Sequence, residues 1–156
     1  MGLFDRQKTN FEMALPYYTV GDAKTLLVLG LGNPGKEYTN NRHNLGFMVL
    51  DTYQSTHDFS GWTFKKDLQI EISTGQIGST RVILAKPTTF MNNSGEAAQK
   101  IQKYYRVYNQ DTIVVYDELA IDFGTIRTRI GGSSAGHNGV KSISALLGED
   151  YGRIRV

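Results

Sequence analysis

Thr25-Leu26-Leu27-Val28-Leu29-Gly30-Leu31-Gly32-Asn33-Pro34-Gly35 is the stretch that decides the architecture. A short apolar run, 25–29, stopped by glycines marks a strand buried on both faces. A glycine-rich turn and a polar stretch, 36–41, follow it. Leu45, Phe47, Met48, Val49, Leu50 and Tyr53 then crowd into a helix expected to end near His57-Asp58. Leu68-Gln69-Ile70-Glu71-Ile72 alternates and Arg81-Val82-Ile83-Leu84 is apolar, so they read as two strands joined around 75–79. Ser94 is placed to cap a helix whose apolar face carries Ala97, Ala98, Ile101, Tyr104 and Tyr105. Thr112-Ile113-Val114-Val115-Tyr116 is a second strand of the buried type. Residues 125–130 alternate, with Arg127 and Arg129 on one face and Ile126, Thr128 and Ile130 on the other. A helix over about 138–147 precedes Arg153-Ile154-Arg155-Val156, which reads as the start of another strand. Strands interleaved with helices predict an α/β fold, a single domain over 25–156.

Upstream, residues 1–24 are aperiodic and read as an N-terminal extension, with a Pro16-Tyr17-Tyr18 patch and a Gly21-Asp22 turn signal. The 156 residues suffice for one domain with a packed core. Forty percent hydrophobic and 21% charged residues is a globular composition, not a disordered one. With no cysteine, disulfide frameworks, zinc ribbons, iron–sulfur clusters and a Cys nucleophile are excluded. No apolar run approaches the roughly 18 residues of a membrane span, and Met1-Gly2-Leu3-Phe4-Asp5-Arg6 lacks a signal-peptide layout. A cytoplasmic protein without a membrane partner is the expectation.

Gly30-Leu31-Gly32-Asn33-Pro34-Gly35 matches G-x-G-x-x-G after a strand, the dinucleotide-binding pattern. In that fold a helix opens at the third glycine, so that its amides meet the pyrophosphate. Here Pro34 and the polar stretch after Gly35 look like a turn. Asp51, near the spacing of the ribose-binding acid, sits within a helical pattern. A tight turn with positive φ explains the glycines without a nucleotide.

Arg42-His43-Asn44 places an imidazole between the polar loop and the helix. A surface or helix-capping histidine is one reading. The other draws on Asp117, at the end of an apolar strand where open α/β sheets place their ligand crevices. A histidine oriented by a buried carboxylate is a general base for water. Asn33, Asn92 and Asn138 would add directional hydrogen bonds without competing for the proton. No G-x-S-x-G nucleophile is present, and His43, His57 and His137 lack metal-ligand spacing. A water activated by histidine and attacking an ester is the chemistry that fits.

Seventeen Lys and Arg against fifteen Asp and Glu give a net charge of only +2, but the charges are unevenly placed. Arg81, Lys86, Lys100, Lys103 and Arg106 face one acid, Glu96. Arg127, Arg129, Lys141, Arg153 and Arg155 face only Glu149 and Asp150. Such patches suit phosphate backbones, with solvated surface charge as the alternative.

Four blocks in order resemble the bacterial-type peptidyl-tRNA hydrolase family. They are Gly30-Leu31-Gly32-Asn33-Pro34-Gly35 with Tyr38 and Arg42-His43-Asn44; Lys86-Pro87-Thr88-Thr89-Phe90-Met91-Asn92-Asn93-Ser94-Gly95; Tyr116-Asp117-Glu118-Leu119; and Gly131-Gly132 through Gly136-His137-Asn138-Gly139 with Lys141. The resemblance implies a single α/β domain with a twisted mixed β-sheet flanked by helices. It implies a monomeric enzyme, without metal or organic cofactor, that cleaves the ester between a peptide and the 3′-terminal ribose of tRNA. By motif position His43 would be the base, Asp117 its orienting carboxylate, and Asn33, Asn92 and Asn138 positioning groups for substrate and water. Tyr38, Phe90 and Met91 would line the site, and Arg127, Arg129 and Arg155 would clamp acceptor-stem phosphates of peptidyl-tRNA. A non-catalytic RNA-binding relative of the same fold is the alternative. The family continues beyond a strand like 153–156 to a further helix, so the C-terminal end is expected to be truncated. Ser133-Ser134-Ala135 stands in a loop that often carries glycines and a histidine.

Overall fold

A computed structural model describes residues 24–156, so the extension read over 1–24 lies outside the described residues apart from Lys24. In chain order the elements are β1 (Thr25–Gly30), α1 (Leu45–Thr56), β2 (Thr63–Lys65), β3 (Ile70–Ile77), β4 (Thr80–Pro87), α2 (Ser94–Tyr105), β5 (Thr112–Tyr116), β6 (Arg127–Ile130), α3 (Asn138–Leu147) and β7 (Gly152–Arg155). The strands form one mixed sheet in the order β2-β3-β4-β1-β5-β7-β6. β1 lies parallel to both β4 and β5, and β5 parallel to β7. The remaining pairs, β2–β3, β3–β4 and β6–β7, are antiparallel. No helix of the described residues is long and apolar enough to cross a membrane.

Helices α2 and α3 cover one face, enclosing Leu27, Leu29, Ile83, Val114 and Tyr116 with Ile101, Val140 and Ile143. Helix α1 covers part of the other, with Leu50 against Val82, Leu84 and Val115. Each fully buried large apolar side chain contributes roughly 1.5–3 kcal/mol, so this double-sided core carries the fold. The parallel strands β1, β4 and β5 end together, and the loops leaving those ends converge.

The glycines of the opening motif serve packing more than turning. Of Gly30, Gly32 and Gly35, only Gly35 has positive φ, at 113°. A methyl group on Gly30 would meet Gly46 O, and one on Gly32 would meet the Phe47 ring. One on Gly46 would collide with Leu31 N and Val115 O. The first turn of α1 therefore lies directly on the ends of β1 and β5. No helix opens at Gly35; Lys36–Tyr38 is a short 3₁₀ turn, which removes the amide cradle a dinucleotide needs. Asp51 is held by Lys86 Nζ at 2.6 Å.

Other expectations need correction. The strand over 68–72 starts two residues late, because Leu68 closes a 3₁₀ turn, Lys66–Leu68. It then runs through Gly75 to Ile77, leaving Gly78-Ser79 as the turn. Gly75 belongs in the strand because the Phe59 ring covers it where a Cβ would stand. Ser94 does not cap α2: its hydroxyl donates to Met91 O at 2.8 Å. Tyr104 is 63% exposed, off the buried stripe of α2. In β1 the outward pair Leu26 and Val28 is only half-buried, because α1 covers part of that face. Every residue of β6 is exposed, so its alternation hides neither face. Arg153 is 1% exposed and is no part of a surface patch.

Candidate active site

The site grows from the C-terminal ends of β1, β4 and β5. After β1, the backbone of Asn33 is gripped twice by Asn44. Asn33 N donates to Asn44 Oδ1 at 2.8 Å, and Asn44 Nδ2 donates to Asn33 O at 3.0 Å. The side chain of Asn33 accepts from Met91 N at 2.7 Å through Oδ1. The loop after β1 is thereby tied to the loop after β4, and Asn33 Nδ2 is left as a donor with no partner among the described residues.

His43 sits in a 3₁₀ turn, Arg42–Asn44, whose start is capped by Asn41 Oδ1 accepting from His43 N at 2.9 Å. Its ring is 55% exposed, while the Asp117 side chain it meets is 2% exposed. His43 Nδ1 lies 2.9 Å from Asp117 Oδ2 and 3.2 Å from Oδ1. An ionised carboxylate only accepts, so the proton of this contact is on Nδ1, and Nε2 keeps its lone pair. Burial pushes the Asp117 carboxyl up, but the hydrogen bonds it accepts from His137 and His43 outweigh it. The carboxyl ends below its ordinary value.

His137, which the sequence reading left without a role, completes the constellation. Its Nε2 is 2.9 Å from Asp117 Oδ1. Its Nδ1 accepts from Gly139 N at 3.1 Å and Val140 N at 3.3 Å, capping α3. The signal available in the sequence was its place immediately before the helix-forming run, where a capping residue stands. Asn44 was equally unassigned, and no spacing rule links it to Asn33.

Around this centre a cleft of about 320 Å³ is lined by His43, Asp117, Glu118, Leu119, Gly136 and His137. Tyr38 and Phe90 meet edge to face at 6.4 Å, with Phe90 exposed and Met91 buried behind it. Asn92 and Asn138, the first residue of α3, are both exposed, and neither makes a side-chain hydrogen bond among the described residues.

Three ligand atoms of His43, Asp117 and His137 lie within 4.8 Å of one another, close enough for a metal ion. The tautomer of His137 opposes it. Ligation through Nε2 would require the remaining proton on Nδ1, where two backbone N–H groups already point. The donor set suits a proton network better than a cation.

The arginines occupy a neighbouring strip. Tyr116 pairs with Arg155, and Arg155 with Arg127, so the three lie in one row across β5, β7 and β6. Two strand spacings put Arg127 about 10 Å from Tyr116, the residue before Asp117. Arg129 stands two residues further along β6 with its guanidinium over Gly132. Arg127 and Arg129 are exposed, Arg155 half-buried, and none has a carboxylate partner among the described residues. Lys86 is not available to a phosphate: Asp51 and Glu71 hold it, and its ammonium stands 4.1 Å from the Trp62 ring centre.

The sequence model of peptidyl-tRNA hydrolase matches residues 27–156. The chain belongs to the peptidyl-tRNA hydrolase family. This family member is 55% identical over 129 residues to the peptidyl-tRNA hydrolase of Ehrlichia ruminantium strain Gardel, covering 83% of the chain and 66% of the relative. It is 47% identical over 131 residues to that of Sinorhizobium fredii, covering 84% of the chain and 54% of the relative. Its fold superposes on the crystal structure of peptidyl-tRNA hydrolase from Acinetobacter baumannii with a TM-score of 0.81 and 30% identity. That match covers 90% of this chain and 70% of the other. A crystal structure of a peptidyl-tRNA hydrolase complex with n-propanol matches with the same TM-score at 32% identity, covering 85% and 67%. This peptidyl-tRNA hydrolase family chain thus spans between about half and two thirds of the length of the curated relatives named here. The mixed sheet agrees with the α/β architecture expected from the motif blocks.

Proposed function

We propose that this chain hydrolyses the ester joining a peptide to the 3′-terminal ribose of tRNA, with His43 as base. The observation that carries the reading is the contact of a half-exposed imidazole with a buried carboxylate, His43 Nδ1 to Asp117 Oδ2 at 2.9 Å. A binding protein needs no such pair. With its proton on Nδ1, His43 takes a proton from water at Nε2, and the hydroxide attacks the ester carbonyl. The imidazolium then returns the proton to the departing ribose oxygen, leaving a free peptide acid and a free hydroxyl on tRNA. Such a base supplies about 10²–10⁴ in rate, with positioning and oxyanion donors supplying more. Asn33 Nδ2, without a partner among the described residues, is one donor offered to substrate; Asn92 and Asn138 are the other two amides proposed to hold substrate and water. Tyr38, Phe90 and Met91 form the proposed wall toward the peptide and the terminal base, where an exposed aromatic stacks on a base.

Arg127, Arg129 and Arg155 are proposed to hold phosphates of the acceptor stem, selecting tRNA by shape and charge rather than by base sequence. We place the working enzyme in the cytoplasm, as a monomer whose domain comprises residues 25–156, in keeping with translation as the source of its substrate. The test is release of an N-acetylated aminoacyl group from tRNA by the parent chain and by His43→Ala. Release by the parent, lost in the variant while tRNA affinity holds, supports the assignment. Equal release by both would refute it.

A further inference from the structure

Asp117 receives a second histidine, and the two are not equivalent. His43 can present its proton only on Nδ1, toward Asp117, leaving Nε2 open to the cleft. His137 is wired the other way round. Two backbone N–H groups at the start of α3 point at Nδ1, which must therefore carry a lone pair, and Nε2 faces Asp117 Oδ1 at 2.9 Å. We infer that His137 is a positioning residue held as the neutral Nε2–H tautomer, which pins Asp117 by one oxygen while His43 works against the other.

A protonated His137 would carry a hydrogen on Nδ1, facing the Gly139 and Val140 N–H groups with no acceptor between them. The side chain is only 7% exposed, so water cannot readily relieve that clash. The positive end of the helix, where those amides lie, opposes a cation at the same place. The groups facing the ring are few. Asp117 comes from the end of β5, and the Tyr116 ring meets it edge-on at 5.1 Å. The His43 ring meets it edge-on at 5.7 Å. Glu118 lines the same cleft. Asp117 attracts a proton, yet its near oxygen already accepts the one on Nε2, and the only free valence on His137 points at the amides.

Two consequences follow for the proposed hydrolysis, on which this inference rests. The proton that His43 takes from water stays on His43, because His137 has no site to receive it. Asp117 cannot rotate to follow His43 between ground state and imidazolium, because Oδ1 is anchored independently. His137 therefore acts through Asp117 and does not need to touch substrate.

The tautomer can be read without any activity. The full chain, labelled with ¹⁵N, has only three histidines, His43, His57 and His137, and single His→Gln variants assign them. Long-range imidazole spectra of the neutral ring should show His137 with a bare Nδ1 and a protonated Nε2. Appearance of its neutral Nδ1–H tautomer would overturn the inference whatever the enzyme does.

His137→Asn supplies the kinetic arm. Asparagine is among the best N-caps, so the start of α3 is kept, but the shorter side chain cannot reach Asp117. On acetylaminoacyl-tRNA we expect kcat to fall tenfold or more, with KM within threefold and the melting temperature within a few degrees. An unchanged kcat, or a loss that tracks the melting temperature, would show that His137 only caps the helix. Spectra as expected from a chain inactive on every tRNA ester would leave the tautomer standing and count against the hydrolase reading instead.

Discussion

Replacing Asp117 by Asn removes a charge while keeping the shape, and the structure says what the substitution does to each partner. Asp117 accepts at both oxygens, from His43 Nδ1 at 2.9 Å and from His137 Nε2 at 2.9 Å. Asparagine accepts at one end and donates at the other. His137 cannot reverse its ring, because Gly139 and Val140 hold Nδ1, so the amide oxygen must turn toward His137. The amide NH₂ then faces His43, whose Nδ1 becomes an acceptor and whose proton moves to Nε2. A base with its lone pair turned away from the cleft is no base. The loss should approach the whole contribution of general-base catalysis, about 10²–10⁴ in kcat, or about 2.7–5.4 kcal/mol of barrier. Single-turnover release of an N-acetylated aminoacyl group from tRNA measures it directly. The double variant His43→Ala with Asp117→Asn should be no slower than His43→Ala alone, since the two residues act as a unit. Release by Asp117→Asn within threefold of the parent, or multiplicative losses in the double variant, would refute this chain of reasoning.

Three further outcomes are expected. Arg127→Ala with Arg129→Ala should weaken tRNA binding and flatten the plot of log affinity against log salt by about 1.4–1.8, two phosphate contacts' worth; an unchanged slope would place the clamp elsewhere. Gly46→Ala drives a methyl into Leu31 N and Val115 O, both backbone atoms that cannot step aside. The expected loss is about 1–3 kcal/mol or more, read from the urea midpoint, and a midpoint equal to the parent's would mean that α1 can lift off the sheet freely. Because the folded Asp117 carboxyl lies below its ordinary value, it stabilises the fold fully above the unfolded value of about 3.9 and loses that contribution as pH falls through the folded value. Denaturant melts between pH 5 and 2.5 should therefore fall less steeply for Asp117→Asn than for the parent; parallel curves would mean that the carboxylate gains nothing from its two histidines.

The elements were legible from the chain where local pattern and burial coincide. The apolar runs of β1 and β5 read as interior strands, and the run from Leu45 to Tyr53 as a helix, because their apolar residues had to leave water. The four motif blocks likewise named His43, Asp117 and Asn33 as candidates. What the chain did not disclose is what meets what. His43 and Asp117 are 74 positions apart, and Asn33 and Met91 are 58 apart; both contacts exist only because parallel β1, β4 and β5 end side by side. Gly30 and Gly32 read as turn residues, yet they are spaces cleared for α1, which no local rule distinguishes. Arg153 looked like surface charge, but its cross-strand partner Arg129 is exposed on edge strand β6 while Arg153 is buried on β7, one strand inward. There Ser133 O and Glu149 O solvate it. The opposed tautomers of His43 and His137 belong wholly to tertiary structure, since a ring nitrogen takes its proton according to the group it faces, and sequence does not say which group that is.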